Sequence, residues 1–158
     1  MKGQQILSAI FPVLLTLTLQ FCSHSRYKLE TIGLPPTSTV SISNFENLTT
    51  YPRAEKIVAE IMTVELDKTK RFHIVASGAS YVLTGSISEY RYTKGLAEDP
   101  AVALQVKLIE TRTNKILWRG SVSDVSKESI FQRSASLDEL THMLCEKIAD
   151  SLVMRQSL

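Results

Sequence analysis

The chain has 158 residues, one domain's worth, with 44% hydrophobic and 22% charged residues, a globular balance that argues against a disordered chain, a collagen-like repeat or a coiled-coil rod. A net charge of +2 gives no electrostatic case for nucleic acid as a partner. Two distant cysteines, Cys22 and Cys145, cannot build a disulfide scaffold, and the scattered His24, His73 and His142 argue against a metalloenzyme or a His-dependent hydrolase.

The N-terminus reads as an export signal. Lys2 is the positive start, an apolar stretch runs from Ile6 to Phe21, and no acidic residue precedes Glu30. Pro12 and the interspersed hydroxyl residues weaken the competing reading, a permanent membrane span of about 20 apolar residues. Cys22 closes the stretch, and Leu19 stands three residues before it, so the segment resembles a bacterial lipoprotein signal. That resemblance implies cleavage before Cys22 and acylation of its thiol and amine. Two other readings stay open: Cys22 as an ordinary apolar residue of the signal, or a cut after Ser25 at the Ser23/Ser25 small-residue pattern. The expected organisation is a signal at 1–21, a lipidated leader at 22–37 and a domain at 38–158. Within the domain, Cys145 is expected to be buried.

The domain's elements follow from periodicity. Thr39–Ser43 alternates polar and apolar residues, as a half-buried strand does, and Phe45 continues the run. Asn44–Thr50 is a polar turn, Thr50 is placed to cap a helix, and Pro52 fits its first turn. The helix runs to Lys68, with Ala54, Ile57, Val58, Ile61 and either Val64 or Met62 on one face. Phe72–Val75 is a short strand. Tyr81–Tyr92 alternates as a long one, with Leu83, Gly85, Ile87, Glu89 and Arg91 on one face and Val82, Thr84, Ser86, Ser88, Tyr90 and Tyr92 on the other. Strands at Val102–Glu110 and Ile116–Val122 flank a turn at Thr111–Lys115. Ser136 and Glu139 form a capping-box pattern before a last helix with a Leu137, Leu140, Leu144, Ile148, Leu152 stripe. The expected fold is α+β: one sheet of about five strands with two helices packed on one face, in the order strand-helix-strand-strand-strand-strand-helix.

No catalytic motif is present: no nucleophile elbow, phosphate loop, HExxH or CxxC. Gly85 inside its strand reads as a bulge or a close packing point. The adjacent Glu98 and Asp99 read as a solvated loop tip rather than a catalytic pair. His142 is expected to pair along its helix with Glu139 and Glu146, and His73 has no partner at metal-ligand spacing. Trp118 reads as core or hairpin cover. Tyr90, Arg91 and Tyr92 at a polar strand end are the candidate contact surface, because Tyr and Arg are enriched at interfaces. The alternative is ordinary edge-strand decoration. No catalytic residue, metal site or cofactor is expected.

Several segments together resemble a group of bacterial envelope lipoproteins. Phe45-Glu46-Asn47-Leu48-Thr49 resembles their F-x-N-x-T entry to a helix, and Tyr81–Ile87 their Y-V-L-T-G-x-I strand. Leu104–Trp118 resembles their hairpin, with Asn114 where glycine is usual, a residue that also tolerates positive φ. The curli-secretion, penicillin-binding-protein-activator and Pel-polysaccharide lipoproteins share this plan. The lipopolysaccharide-assembly lipoprotein is similar through Tyr27-Lys28-Leu29 and Leu34-Pro35-Pro36. The resemblance implies no enzyme. It implies a periplasmic protein held to the outer membrane through Cys22, where Ser23 at the second mature position favours that membrane. Its expected partners are envelope assembly or secretion proteins and further copies in a ring or dimer. A lipopolysaccharide-assembly partner of an outer-membrane barrel is the nearest alternative. A periplasmic ligand- or glycan-binding module is the alternative from another class, and it needs a concave polar pocket.

Overall fold

The structure, a computed structural model, describes residues 26–29, 32, 34, 35, 37–92, 99–125 and 136–153. The signal, Cys22 and Glu98 lie outside these residues. The strands are β1 (Arg26–Leu29), β2 (Ser38–Ile42), β3 (Glu46–Asn47), β4 (Phe72–Ile74), β5 (Tyr81–Arg91), β6 (Ala101–Glu110) and β7 (Lys115–Val125). The helices are α1 (Ala54–Lys68) and α2 (Leu137–Val153). The fold is α+β, as expected, but among the described residues the sheet has seven strands rather than about five.

The sheet order is β1-β7-β6-β5-β2-β4, with β3 also pairing with β5. Strands β5, β6 and β7 form an antiparallel meander, while β2 runs parallel to both β4 and β5. The two additional strands come from segments read as leader and as turn. Arg26–Leu29 pairs with β7, and Glu46–Asn47 continues the line of β2 along β5. Arg26-Tyr27-Lys28-Leu29 alternates polar and apolar residues over only four positions, and Glu46–Asn47 is too short to alternate at all. Main-chain hydrogen bonds to a neighbour that is distant in sequence make them strands.

Both helices cover one face of the sheet and pack on each other. The core lies between the layers, with Leu83, Ile87, Leu104, Leu108 and Val122 from the sheet against Val58, Met62, Leu66, Leu140, Leu144 and Ile148 from the helices. Each fully buried Leu or Ile stabilises the fold by about 1.5–3 kcal/mol. The whole expected stripe of α2 is buried. In α1 it is Met62 that turns inward, while Val64 is 47% exposed.

Local chemistry accounts for several junctions. Ser136 and Glu139 form the expected capping box: Ser136 N–H donates to Glu139 Oε2 at 2.7 Å, and Glu139 N–H to Ser136 Oγ at 3.2 Å. Asn114 takes φ +56° in the β6–β7 turn, the position where glycine is usual. The start of α1 differs from expectation. Arg53, not Thr50, is the N-cap, with φ +64° and no side-chain cap bond. The Asn47 side chain instead reaches from β3, donating to the Tyr51 carbonyl at 2.9 Å and to Glu55 Oε2 at 3.0 Å. Asn47 Oδ1 also accepts from Thr49 N–H and Thr49 Oγ1, at 3.0 and 2.8 Å. One residue of the F-x-N-x-T segment thus ties β3, the following turn and the first turn of α1 together. Phe45, the first residue of that segment, is buried.

Gly85 marks a close approach. A Cβ there would stand 2.0 Å from the Gln105 carbonyl oxygen and 3.0 Å from Phe45 Cε1. Gly120 has the same role beneath Trp118, whose ring carbons lie 2.5 and 2.6 Å from the position of a Cβ. Trp118 is 4% exposed, in the core as expected.

Candidate functional site

A β-bulge decides what the candidate contact strand presents. Ile87 pairs with Leu104 and Glu89 with Ala103, so Ser88 is an extra residue on β5. Side chains alternate with period two, so one extra residue exchanges the faces of everything beyond it. Tyr90 therefore joins Leu83, Gly85 and Ile87 on the helix-covered face, opposite Val102, and Glu89 and Arg91 move to the outer face. Strict alternation had placed these residues the other way round.

The candidate triplet is accordingly divided. Tyr90 is 6% exposed. Its ring meets Tyr51 edge to face at 5.0 Å and 61°, and its hydroxyl lies 3.4 Å from Thr141 Oγ1 on α2. Burial pushes the Tyr90 phenol above its ordinary pKa, with the Thr141 hydrogen bond offsetting part of the rise. Arg91 is half-exposed, and its Nη2 pairs with Glu89 Oε1 at 3.1 Å. Tyr92 is 59% exposed, just past the end of β5. Leu48, 60% exposed, stands beside the same strand, because its N–H donates to the Ile87 carbonyl. The Asn47 network holds the turn that displays it. Two exposed apolar side chains thus lie along β5, Leu48 beside Ile87 and Tyr92 past its end.

A second cluster joins the helices. Glu65 on α1 is 4% exposed and was not singled out in the sequence. His142 Nδ1 lies 2.7 Å from Glu65 Oε1, and Lys68 Nζ approaches the same oxygen at 2.7 Å. His142 Nε2 is 4.0 Å from Asp138 Oδ2. The expected pairing of His142 along its own helix, with Glu139 and Glu146, is thus replaced by a bond across the helix interface. Desolvation pushes the Glu65 carboxyl up, but the hydrogen bonds and charges of Lys68 and His142 outweigh it, and the net shift is downward. The partner could have been found by placing Glu65 on the inward face of α1, where a buried carboxylate requires one. Cys145 is fully buried, as expected, and burial pushes its thiol far up, with the Glu65 charge adding to the rise.

Among the described residues no group of three or more His, Cys, Asp or Glu side chains could hold a metal ion. No described helix is long and apolar enough to cross a membrane. The uncovered face of the sheet carries a broad open recess of about 1230 Å³, with Thr84, Ser86, Gln105, Lys107, Arg119 and Lys28 along it. Asp99 lies next to Pro100 before β6, with no carboxylate partner among the described residues.

Solved structures share this architecture. A PelC dodecamer from Paraburkholderia phytofirmans superposes with a TM-score of 0.70 at 22% identity, covering 84% of this chain and 98% of that one. This chain has the PelC fold. A second crystal form of PelC matches with a TM-score of 0.69 at 21% identity and the same coverage. The lipoprotein GNA1162 from Neisseria meningitidis matches more loosely, with a TM-score of 0.51 at 14% identity over 72% of this chain and 96% of that one. The PelC fold is the plan of the lipoprotein group that the F-x-N-x-T, Y-V-L-T-G-x-I and hairpin segments resemble. No family model matches the sequence, and no curated protein matches it.

Proposed function

We propose that this chain is a lipid-anchored periplasmic lipoprotein that acts without catalysis, docking on an envelope complex that assembles or exports a surface polymer. The observation that carries this reading is the PelC fold over nearly the whole of that chain, joined to the lipoprotein-like signal ending at Cys22. The side chains support docking rather than chemistry. Cys145 is sealed, and Glu65 and His142 bind each other.

The mechanism is a tether and a docking surface. Acyl chains on Cys22 hold the N-terminus in the outer membrane, each buried methylene contributing about 0.8 kcal/mol. Only residues 23–25 separate Cys22 from β1. An extended chain of that length reaches about 14 Å. The β1 edge of the sheet therefore stays close to the membrane surface. Tyr92 past the end of β5 and Leu48 beside Ile87 are the proposed contact points for the partner, with Arg91 next to Tyr92. Copies of the chain assemble with one another, as PelC does in its dodecamer.

In-cell crosslinking followed by affinity capture from detergent-solubilised envelopes tests the reading. Capture of a polysaccharide, peptidoglycan-synthase or secretion component that is reduced by Tyr92→Ala is the expected result. Capture of the lipopolysaccharide-insertion barrel alone would replace it with the lipopolysaccharide-assembly role. Cys22→Ser should release the protein from membranes, and retention would end the tether.

A further inference from the structure

The two outer faces of the sandwich carry opposite charge. On the uncovered side of the sheet, Lys107 of β6 and Arg119 of β7 stand directly opposite each other in register. Lys28 of β1 pairs with Ser121, two residues along β7 on the same face. All three are exposed, and none has an ion-pair partner among the described residues. Like charges directly opposite on neighbouring strands destabilise a sheet. The acidic residues on this face lie elsewhere. Glu89 is paired with Arg91. Glu46 is on β3, two strand spacings or about 10 Å from β6 and four from β1, and it forms no ion pair with Lys107, Arg119 or Lys28.

On the opposite side of the same half of the molecule the exposed charges of α2 are acidic, while its Lys147 is half-buried and already engaged. Helix α2 covers the inner face of β6 and β7. Asp138, Glu146 and Asp150 are exposed on it, on the same line as His142 at a spacing of four. Glu146 and Asp150 are like charges one turn apart, and neither has a partner among the described residues. Asp150 also lies toward the C-terminus of a helix whose last turn has no basic residue, where the helix dipole disfavours an anion. Helix α1, by contrast, alternates Glu55, Lys56, Glu60, Asp67 and Lys68 and has no single sign.

From this we infer that the cationic outer face of β6, β7 and β1 docks on the acidic face of α2 in a second copy of the chain. Each face carries charge that is unfavourable in the single copy and is matched by the other. The two faces lie on opposite sides of one two-layer half, so the contact is head-to-tail. A head-to-tail contact propagates, closing into a ring where its rotation permits. The inference rests on the assembly of copies in the proposed function and names its interface.

Sedimentation velocity and native mass spectrometry of the full chain in detergent test it, with circular dichroism as the check on folding. Lys107→Glu with Arg119→Glu should raise the concentration needed for assembly at least about tenfold. Glu146→Lys with Asp150→Lys should do the same. Combining the four substitutions, or mixing the two reversed proteins, should restore association. The neutral pair Lys107→Gln with Arg119→Gln covers the case in which reversal disturbs folding, and it should also weaken assembly. Assembly unchanged by the substitutions, or folded reversed proteins that fail to rescue each other, would overturn the interface while leaving assembly itself intact. A chain that stays monomeric at every concentration would overturn it too, and capture of an envelope partner would then still uphold the docking reading. Loss of binding to anionic phospholipid vesicles with assembly unchanged would reassign the cationic face to the membrane.

Discussion

Glu65 of α1 and His142 of α2 meet at 2.7 Å between Oε1 and Nδ1, across the interface between the two helices. Lys68 closes on the same oxygen from the following turn of α1. The carboxylate is 4% exposed, so its charge depends on these two donors.

A pH dependence follows from the lowered pKa of Glu65. A carboxyl with a depressed folded-state value contributes stability above its unfolded value and loses it as pH falls through the folded one. Glu65→Gln should therefore destabilise the protein at neutral pH, by about 1–3 kcal/mol. The difference between the two proteins should hold at neutral pH and narrow in acid, as pH falls below the ordinary glutamate range and through the lowered value of the folded protein. Thermal melts of both proteins across this range check it. A difference that stayed constant down to the acid unfolding of the wild-type protein would remove the ionised Glu65 from the account.

The bulge at Ser88 turns Tyr90 into the core, while Tyr92 lies past the end of β5 and is exposed. Tyr90→Ala should cost about 3–5 kcal/mol, because it empties a core position between Tyr51, Val102 and Thr141. Tyr90→Phe keeps the ring and should cost about 0.5–1.5 kcal/mol, the value of one hydrogen bond. Tyr92→Ala should leave stability within about 0.5 kcal/mol while weakening capture of the envelope partner. Denaturant titration of the three variants separates these outcomes, and a stable Tyr90→Ala would contradict the assignment.

The two glycines with the clearest constraints should respond differently. Gly85→Ala places a methyl group 2.0 Å from a backbone oxygen of β6. The strands must separate, at a cost of about 3 kcal/mol or more. Gly78 has φ +71° and nothing within 4 Å of a Cβ, so Gly78→Ala should cost only about 1–2 kcal/mol, from backbone strain alone. Urea midpoints of the two variants should fall in that order.

Cys145 should resist thiol reagents in the native protein. It has no exposed surface, and burial holds its thiol protonated. In a Cys22→Ser background, labelling by a maleimide should be complete only in denaturant. Rapid labelling under native conditions would show that α2 opens.

Periodicity in the sequence was enough to locate both helices and the long strands β5, β6 and β7, because burial of one face is written as a local repeat. Local chemistry was equally legible at the Ser136–Glu139 capping box and at Asn114, where the residue and its neighbours within one turn decide the geometry. Tertiary structure alone decided the rest. Strands β1 and β3 are too short for a side-chain pattern to mark them, and they exist through backbone bonds to β7 and β5. One inserted residue in β5 moved Tyr90 from the surface to the core, and alternation cannot register an insertion it does not see. The Glu65–His142 pair spans 77 positions, and the row of Lys28, Lys107 and Arg119 draws on three strands. Such groups are adjacent only because the sheet and the helix pair bring distant segments together, and no local pattern records which distant segment will become the neighbour.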